Sequence, residues 1–340
     1  MSSASSRRFI VIGPGATGGT LAAELTRQGS DVLLVARGAE FDAISAAGLV
    51  YHTPDGTEVL PIPVVDGPES VELTPDDVLV ITAKVQDVEP ALRQWAWQPV
   101  VAADGEVTTA ARTIPLVTVQ NGLNAERVAL RWFSTVYAGT IGCPGGKTTV
   151  GEVTNYGTTV RALLWLGTYP QGGDAVLDSI AAELRAGGRI AVDVVQDIRT
   201  VKAWKLSVIT HNSTEAVFAA SPLRAELDER LRVEAVEILT AAGTPPAEIV
   251  DGHVSGLDIG AVVMGDVEGQ PRPGSSTLQS YTRGAPLETD YLNGEIVLLA
   301  RLLGLTAPLN EALQLLIQVA VAGGRDAGAL GDDALAELLS

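Results

Sequence analysis

Gly13, Gly15 and Gly18 stand in the run Gly13-Pro14-Gly15-Ala16-Thr17-Gly18, between an apolar strand, Phe9 to Ile12, and an amphipathic helix. That spacing suits a turn that binds the pyrophosphate of a dinucleotide. Gly13 permits the tight turn, Gly15 lets the backbone approach the phosphates, and Gly18 lets the helix lie close to the strand. Free N–H groups and the positive end of the helix dipole then face the anion. Pro14, Ala16 and Thr17 complete the loop and belong to the same expected cofactor site. With 36 glycines in the chain such patterns arise by chance, so context carries the reading. The run follows a strand, opens a helix, and a second strand, Val32 to Ala36, ends where a dinucleotide site places its ribose contact.

An acidic residue at the end of that second strand would select NAD, because it accepts hydrogen bonds from the ribose 2′-hydroxyl. Here the place reads Val35-Ala36-Arg37-Gly38. A guanidinium there meets a 2′-phosphate with charge-assisted, bidentate contacts, so the expected cofactor is NADP(H); the plain alternative is a solvated loop arginine. Further polar residues follow two later strands: Lys84 and Gln86 after Val78 to Thr82, and Asn121 after Ile114 to Val119. Ligands bind at such strand ends in open parallel sheets. Lysine is scarce, which singles out Lys84, Lys147, Lys202 and Lys205 as local positive charge.

The elements that must position these residues fit a chain of 340 residues, long for a single core, so two domains are expected. There are 41 acidic against 23 basic residues, a net charge of −18. Such a field disfavours nucleic acid and anionic membranes as partners. No apolar run has the length of a membrane span, and residues 1 to 8 lack the apolar segment of a signal peptide, so a soluble cytoplasmic protein is expected. The single Cys143 excludes an intramolecular disulfide, and His52, His211 and His253 show no metal-ligand spacing, so no metal is expected. General prevalence makes a homodimer the expected assembly.

Strands and helices alternate up to about residue 135. Repeated strand signals follow at 136–140, 151–156 and 159–167, then a helix at 174–186 and a strand at 189–194. Beyond residue 196 the pattern is mainly helical, at about 197–219, 222–242, 276–303, 308–322 and 332–339. The expected domains are therefore 1–196, which binds the cofactor, and 197–340, which binds substrate.

Four features recur in a recognisable order: Lys84, Gln120-Asn121-Gly122, the run Thr200-Val201-Lys202-Ala203-Trp204-Lys205-Leu206, and Ser275-Ser276-Thr277-Leu278-Gln279 followed by Glu288 twelve residues after Ser276. In this combination the chain resembles the ketopantoate reductase family, the NADPH-dependent 2-dehydropantoate 2-reductases of pantothenate biosynthesis. The resemblance implies an α/β fold: an N-terminal Rossmann-type doubly wound sheet domain, then an all-α C-terminal domain, with the active site in the cleft between them. It also implies that Lys205 is the catalytic lysine, Glu288 the active-site glutamate and Ser276 the substrate-binding serine. Asn121 is implied beside substrate and nicotinamide, and Lys84 on the cofactor side.

The chemistry agrees with those roles. Hydride addition to the C2 carbonyl of a 2-oxo acid leaves alkoxide charge, which a lysine ammonium stabilises and then protonates. Glu288 would hold the ammonium, and Ser276 and Asn121 would donate to the substrate. The family continues from its lysine with asparagines four and eight positions on; this chain has Ile209 and Ser213 there, with Asn212 as the nearest substitute. An isoleucine removes the amide that would bind a substrate hydroxyl and makes that wall apolar. The first expected substrate is 2-dehydropantoate. The alternatives are the same chemistry on a more apolar oxo compound, or an NADP-binding sensor without catalysis, against which Lys205 and Glu288 argue. His211 is an alternative acid, with a packed or exposed histidine as the plainer reading.

Overall fold

The computed structural model describes residues 7–340. The chain forms two compact units: one of residues up to Gln120 with Ala125–Ile198 and Ile249–Arg272, the other of Asn121–Asn124, Arg199–Glu248 and Pro273–Ser340.

The first unit is built on an eight-stranded sheet. Its central strand β1, Arg8–Ile12, has Asp31–Val35 (β2) on one side and Asp77–Ile81 on the other, both parallel to it. Val64–Val65 lies beyond β2. On the other side follow Leu116–Thr118, Val136–Gly142, Ala162–Thr168 and Ile190–Val194. Only the pairing of Val136–Gly142 with Ala162–Thr168 is antiparallel. Chain connections diverge to the two sides of β1, so the loop after Ile12 sits at the switch point where open α/β sheets bind ligands.

Successive side chains of a strand point to opposite faces, and here both faces are covered. Phe9, Val11, Leu34, Val80 and Val117 share one apolar cluster with Leu21 and Leu25 of the helix Ala16–Arg27 (α1). Ile10, Ile12, Leu33, Leu79 and Ile81 share the other with Val88, Leu92 and Trp95 of the helix Val85–Trp95. A second, four-stranded sheet joins Gly145–Gly146, Glu152–Asn155, Leu49–Thr53 and Gly56–Leu60. Gly19 of α1 lies so close to it that an added Cβ would come within 2.5 Å of Val153 Cγ2.

The short hairpin strands Ile249–Val250, His253–Val254 and Leu257–Asp258 belong to this first unit. Trp165 donates its indole N–H to the Val254 carbonyl at 2.8 Å, and the Gly256 N–H bonds Asp193 Oδ2 at 2.8 Å. No hydrophobic period marks this return to the sheet.

The second unit is helical. Ser221 caps the helix Pro222–Ala241 by accepting from the Arg224 N–H, with Pro222 in the first turn where its missing donor costs nothing. Two expected helices are interrupted. The stretch 276–303 is a helix Ser276–Thr282, a 3-10 turn Thr289–Tyr291 and a helix Asn293–Leu302. Gly284, at φ 63°, and Pro286 account for that break. The stretch 197–219 is a helix Ile198–Ile209 and a short helix Asn212–Val217. No glycine or proline stands between those two; the cause is a long-range hydrogen bond described below. Among the described residues no helix is long and apolar enough to cross a membrane.

Candidate functional site

In the first unit the three glycines of the turn are required for different reasons. Gly13 has φ 104°, a region that L side chains rarely adopt. A Cβ on Gly18 would lie 2.1 Å from the Gly13 carbonyl oxygen and 2.2 Å from Thr82 Oγ1, so close packing of helix on strand excludes any side chain. Gly15 differs. Its φ of −73° suits any residue, and an added Cβ would meet nothing within 4 Å. Nothing inside the protein demands a glycine there, and the backbone stands open to the approach of a ligand.

Gly15 is also the N-cap of α1, with no side-chain cap and no acidic residue in the first turn, so the helix end keeps its donors for an anion. Pro14 is buried, and Ala16 and Thr17 are half-buried beside it. Thr82 clamps the turn by donating to the carbonyls of Gly13, at 2.8 Å, and Ile12, at 3.1 Å. Gln120 holds the neighbouring loop by donating to Ile81 O at 2.7 Å and Ala83 O at 3.0 Å. Neither residue is marked in the sequence as a clamp. Their only signal is a position just past a strand of the sheet.

Arg37 lies exposed, two residues past β2, and its guanidinium bonds Gln94 Oε1 on the helix Val85–Trp95. Lys84 is the N-cap residue of that helix, and Gln86 is in its first turn. Both polar atoms of the Gln86 amide are sealed from solvent with no hydrogen-bond partner among the described residues. A buried amide in that condition calls for a partner the protein does not itself supply. An open backbone at Gly15, an uncapped helix end, a basic residue past β2 and the orphaned Gln86 amide together fit a dinucleotide. Lys147, by contrast, is tied to Glu40 at 2.8 Å and joins the second sheet to the helix Ala39–Ala47.

The second unit gathers the remaining residues through three connections. Asn121 is half-buried, and Gly122, at φ 77°, packs so that a Cβ would lie 2.7 Å from the Tyr291 carbonyl. That carbonyl is three residues after Glu288, the half-buried N-cap of the 3-10 turn. Ser276 is exposed at the start of its helix, which is tied to the short helix by the Ser275 N–H bonding Glu215 Oε2 at 3.0 Å. Asn293 then joins the Glu288 segment to the residues after Lys205. It donates to the Thr210 carbonyl at 3.1 Å and accepts from Ser213 Oγ at 2.6 Å. Lys205 is half-buried on the helix Ile198–Ile209, one turn before Ile209, whereas Lys202 is buried.

At the two positions where the family has asparagines, the side chains are engaged in the interior. Ile209 is 5% exposed and belongs to an apolar cluster with Leu206, Ile238, Leu292 and Ile296. Ser213 is fully buried on Asn293. Asn212 is buried too, yet its amide makes no hydrogen bond among the described residues. His211 lies in the turn between the helices, close enough to Asp228 to favour its charged form. Burial outweighs that help and holds the Asp228 carboxyl above its usual range, while Thr214 donates to it. His52 is bound to Thr57 and Glu152, and His253 is exposed beside the Asp251 carbonyl.

Comparison with known proteins gives a consistent picture. The family model described as ketopantoate reductase PanE/ApbA matches residues 9–171, and its C-terminal counterpart matches 203–320. The chain is similar to the 2-dehydropantoate 2-reductase of Mesorhizobium japonicum, with 29% identity over 332 residues covering 92% of this chain and 97% of the relative. The enzyme of the same name from Pyrococcus horikoshii is 25% identical over 317 residues, covering 92% and 96%. Among solved structures, a PanE/ApbA family ketopantoate reductase from Ralstonia eutropha superposes with TM-score 0.73 at 21% identity, over 93% of this chain and 99% of that one. A D-mandelate dehydrogenase determined with NADH and anilino(oxo)acetate has TM-score 0.74 at 16% identity, over 93% and 99%. At those identities the two structures speak for the fold.

Proposed function

Because the chain belongs to the ketopantoate reductase family, an oxidoreductase family acting on CH–OH groups, we propose that it reduces a 2-oxo acid to a 2-hydroxy acid with NADPH, 2-dehydropantoate being the first substrate. The observation that carries the reading is the glycine turn, whose backbone stands open at Gly15 beside a helix end with no side-chain cap. Gly13, Pro14, Ala16, Thr17 and Gly18 shape the same turn, Lys84 and Gln86 would add polar contacts to the cofactor, and Asn121 is the further cofactor-binding residue that the family resemblance implies. Arg37 is the residue that would select the 2′-phosphate, and its guanidinium is linked to Gln94.

When bound, the reduced nicotinamide supplies a hydride to the carbonyl carbon. Negative charge then develops on the carbonyl oxygen, and the Lys205 Nζ stabilises it before handing over a proton. Glu288 would hold that ammonium in place and accept a hydrogen bond from the new hydroxyl. Asn121 and Ser276 donate to the substrate, and neither changes protonation state. A second reading keeps this chemistry on a more apolar 2-oxo acid; Ile209, set among apolar side chains where the family has an asparagine, favours it. Exposed Leu302, Leu315 and Val319 support the homodimer reading, which a solution mass measurement checks.

The test follows NADPH oxidation by the pure protein with a panel of 2-oxo acids including 2-dehydropantoate. Lys205→Ala is expected to lower kcat by about 10²- to 10⁴-fold, the usual contribution of a positioned acid, with NADPH affinity unchanged. Cofactor binding without turnover of any member would overturn the enzymatic reading in favour of a sensor.

A further inference from the structure

Three buried polar side chains, Ser213, Asn293 and Asn310, and the half-buried Glu234 run through the helical unit. Glu234 Oε1 accepts from Asn310 Nδ2 at 2.9 Å, Asn310 Oδ1 accepts from Asn293 Nδ2 at 2.9 Å, and Asn293 Oδ1 accepts from Ser213 Oγ at 2.6 Å. Asn293 and Asn310 are fully buried. Glu234 also takes the Leu309 and Asn310 N–H groups at the start of the helix Pro308–Ala322. Glu234 and Asn310 therefore fix the position of Asn293, whose second amide hydrogen goes to the Thr210 carbonyl at 3.1 Å.

That last bond explains the helix break. In an uninterrupted helix the Thr210 carbonyl would accept from the Thr214 N–H. Here Asn293 donates to it, and the Thr214 N–H donates instead to the His211 carbonyl at 3.0 Å, one residue later. Such i to i−3 bonding winds the chain by about 20° more per residue than an α-helix does. Viewed down an ideal helix from Lys205, the family's two asparagine positions lie at about 40° (residue 209) and about 80° (residue 213), and residue 212 at about −20°. Overwinding turns residue 212 towards the direction of residue 209, and turns residue 213 away, to where Ser213 meets Asn293. Asn212 is 8% exposed and its amide makes no hydrogen bond among the described residues.

We propose that Asn293 is a positioning residue that sets the turn after the Lys205 helix, so that the polar arm of the substrate is met by the Asn212 amide rather than by the side chain at 213. The inference rests on the 2-oxo acid reductase reading and deepens it: the enzyme retains recognition of a hydroxylated 2-oxo acid, through a residue displaced by one from the family's position. Ser213 is a structural partner of Asn293.

The experiment measures kcat and KM on two 2-oxo acids of the same branched skeleton, 2-dehydropantoate and its analogue lacking the hydroxyl. Asn212→Ala is expected to raise KM for the hydroxylated acid about 3- to 10-fold, the worth of one neutral hydrogen bond, and to leave KM for the analogue unchanged. Ser213→Ala is expected to lower the melting temperature while leaving the ratio of the two KM values unchanged. Asn293→Asp keeps the acceptor for Ser213 but sets an oxygen against the Thr210 carbonyl. It is expected to raise KM selectively for the hydroxylated acid, with kcat on the analogue retained. Should Asn293→Asp not fold, the Asn212→Ala and Ser213→Ala pair decides by itself. A shift in the ratio with Ser213→Ala, or none with Asn212→Ala, overturns the proposal. Failure of the underlying reading shows differently, as wild-type protein that oxidises NADPH with neither acid.

Discussion

The glycine turn and the segment from Lys205 to Ser213 are both short, and both sit beside expected chemistry, yet they are specified in different ways. In the turn each residue type answers to its own backbone or to atoms one strand away: a positive φ at Gly13, a carbonyl and a hydroxyl against Gly18, open space at Gly15. After Lys205 the backbone is decided by Asn293, eighty residues from Ser213 in sequence, and by the groups that hold Asn293 in turn. The turn is thus fixed by constraints within about one strand of itself, and the segment after Lys205 by a side chain from across the helical core.

The sharpest way to break that contrast lies within the turn. Gly18→Ala drives a methyl into the Gly13 carbonyl and Thr82, so it should lower the melting temperature by several degrees and abolish NADPH binding. The Cβ of Gly15→Val meets no protein atom within 4 Å, so the variant should leave the melting temperature within a degree or two while weakening NADPH by tenfold or more. Calorimetric melting beside cofactor titration separates the two, and a melting loss with Gly15→Val would refute the ligand reading of that glycine. Next in size is Arg37→Ala. Loss of a charge-assisted contact predicts an NADPH KM raised about tenfold or more with the NADH KM unchanged, read from initial rates with each cofactor.

Ile209→Asn probes the other side of the comparison. An amide placed among Leu206, Ile238, Leu292 and Ile296 is expected to cost about 1–3 kcal/mol of stability in denaturant titration. The smallest effect is expected at Asp228. Its folded carboxyl lies above the unfolded value, so it binds a proton more tightly when folded; its contribution favours folding at low pH and is lost as pH rises through the carboxylate range. Asp228→Asn should therefore be slightly more stable than wild type near pH 7, and the gap should narrow as pH falls. Melting curves across that range check the sign.

Much of the sheet unit is legible in the sequence, because alternating apolar runs and a glycine turn are short-range signals. Phe9 to Arg37 reads as strand, turn, helix and strand, and the structure has them. Thr82 and Gln120 were missed as clamps because a threonine or glutamine past a strand looks the same whether it faces solvent or holds a neighbouring loop. In the helical unit the helices Pro222–Ala241, Pro308–Ala322 and Asp332–Leu339 follow their period. The break at Thr210-His211 has no local mark, since a helix-compatible sequence is interrupted by a side chain from elsewhere. Residues Ser276–Leu302 read as one helix because the apolar period survives the interruption at Gly284 and Pro286.

The hairpin at 249–258 bears on how this protein can be divided. Its Val254 carbonyl receives the indole hydrogen of Trp165, which is 1% exposed in the sheet unit. A polypeptide stopped at Ile198 would carry every strand of the main sheet and still lack the Val254 carbonyl that accepts the indole hydrogen. Neither half is a continuous stretch of chain, so the last part of the cofactor-side unit emerges from the ribosome only after the Lys205 helix has been made. Synthesis order and structural order are interleaved, and a gene cut anywhere between Asn124 and Ile249 splits both units.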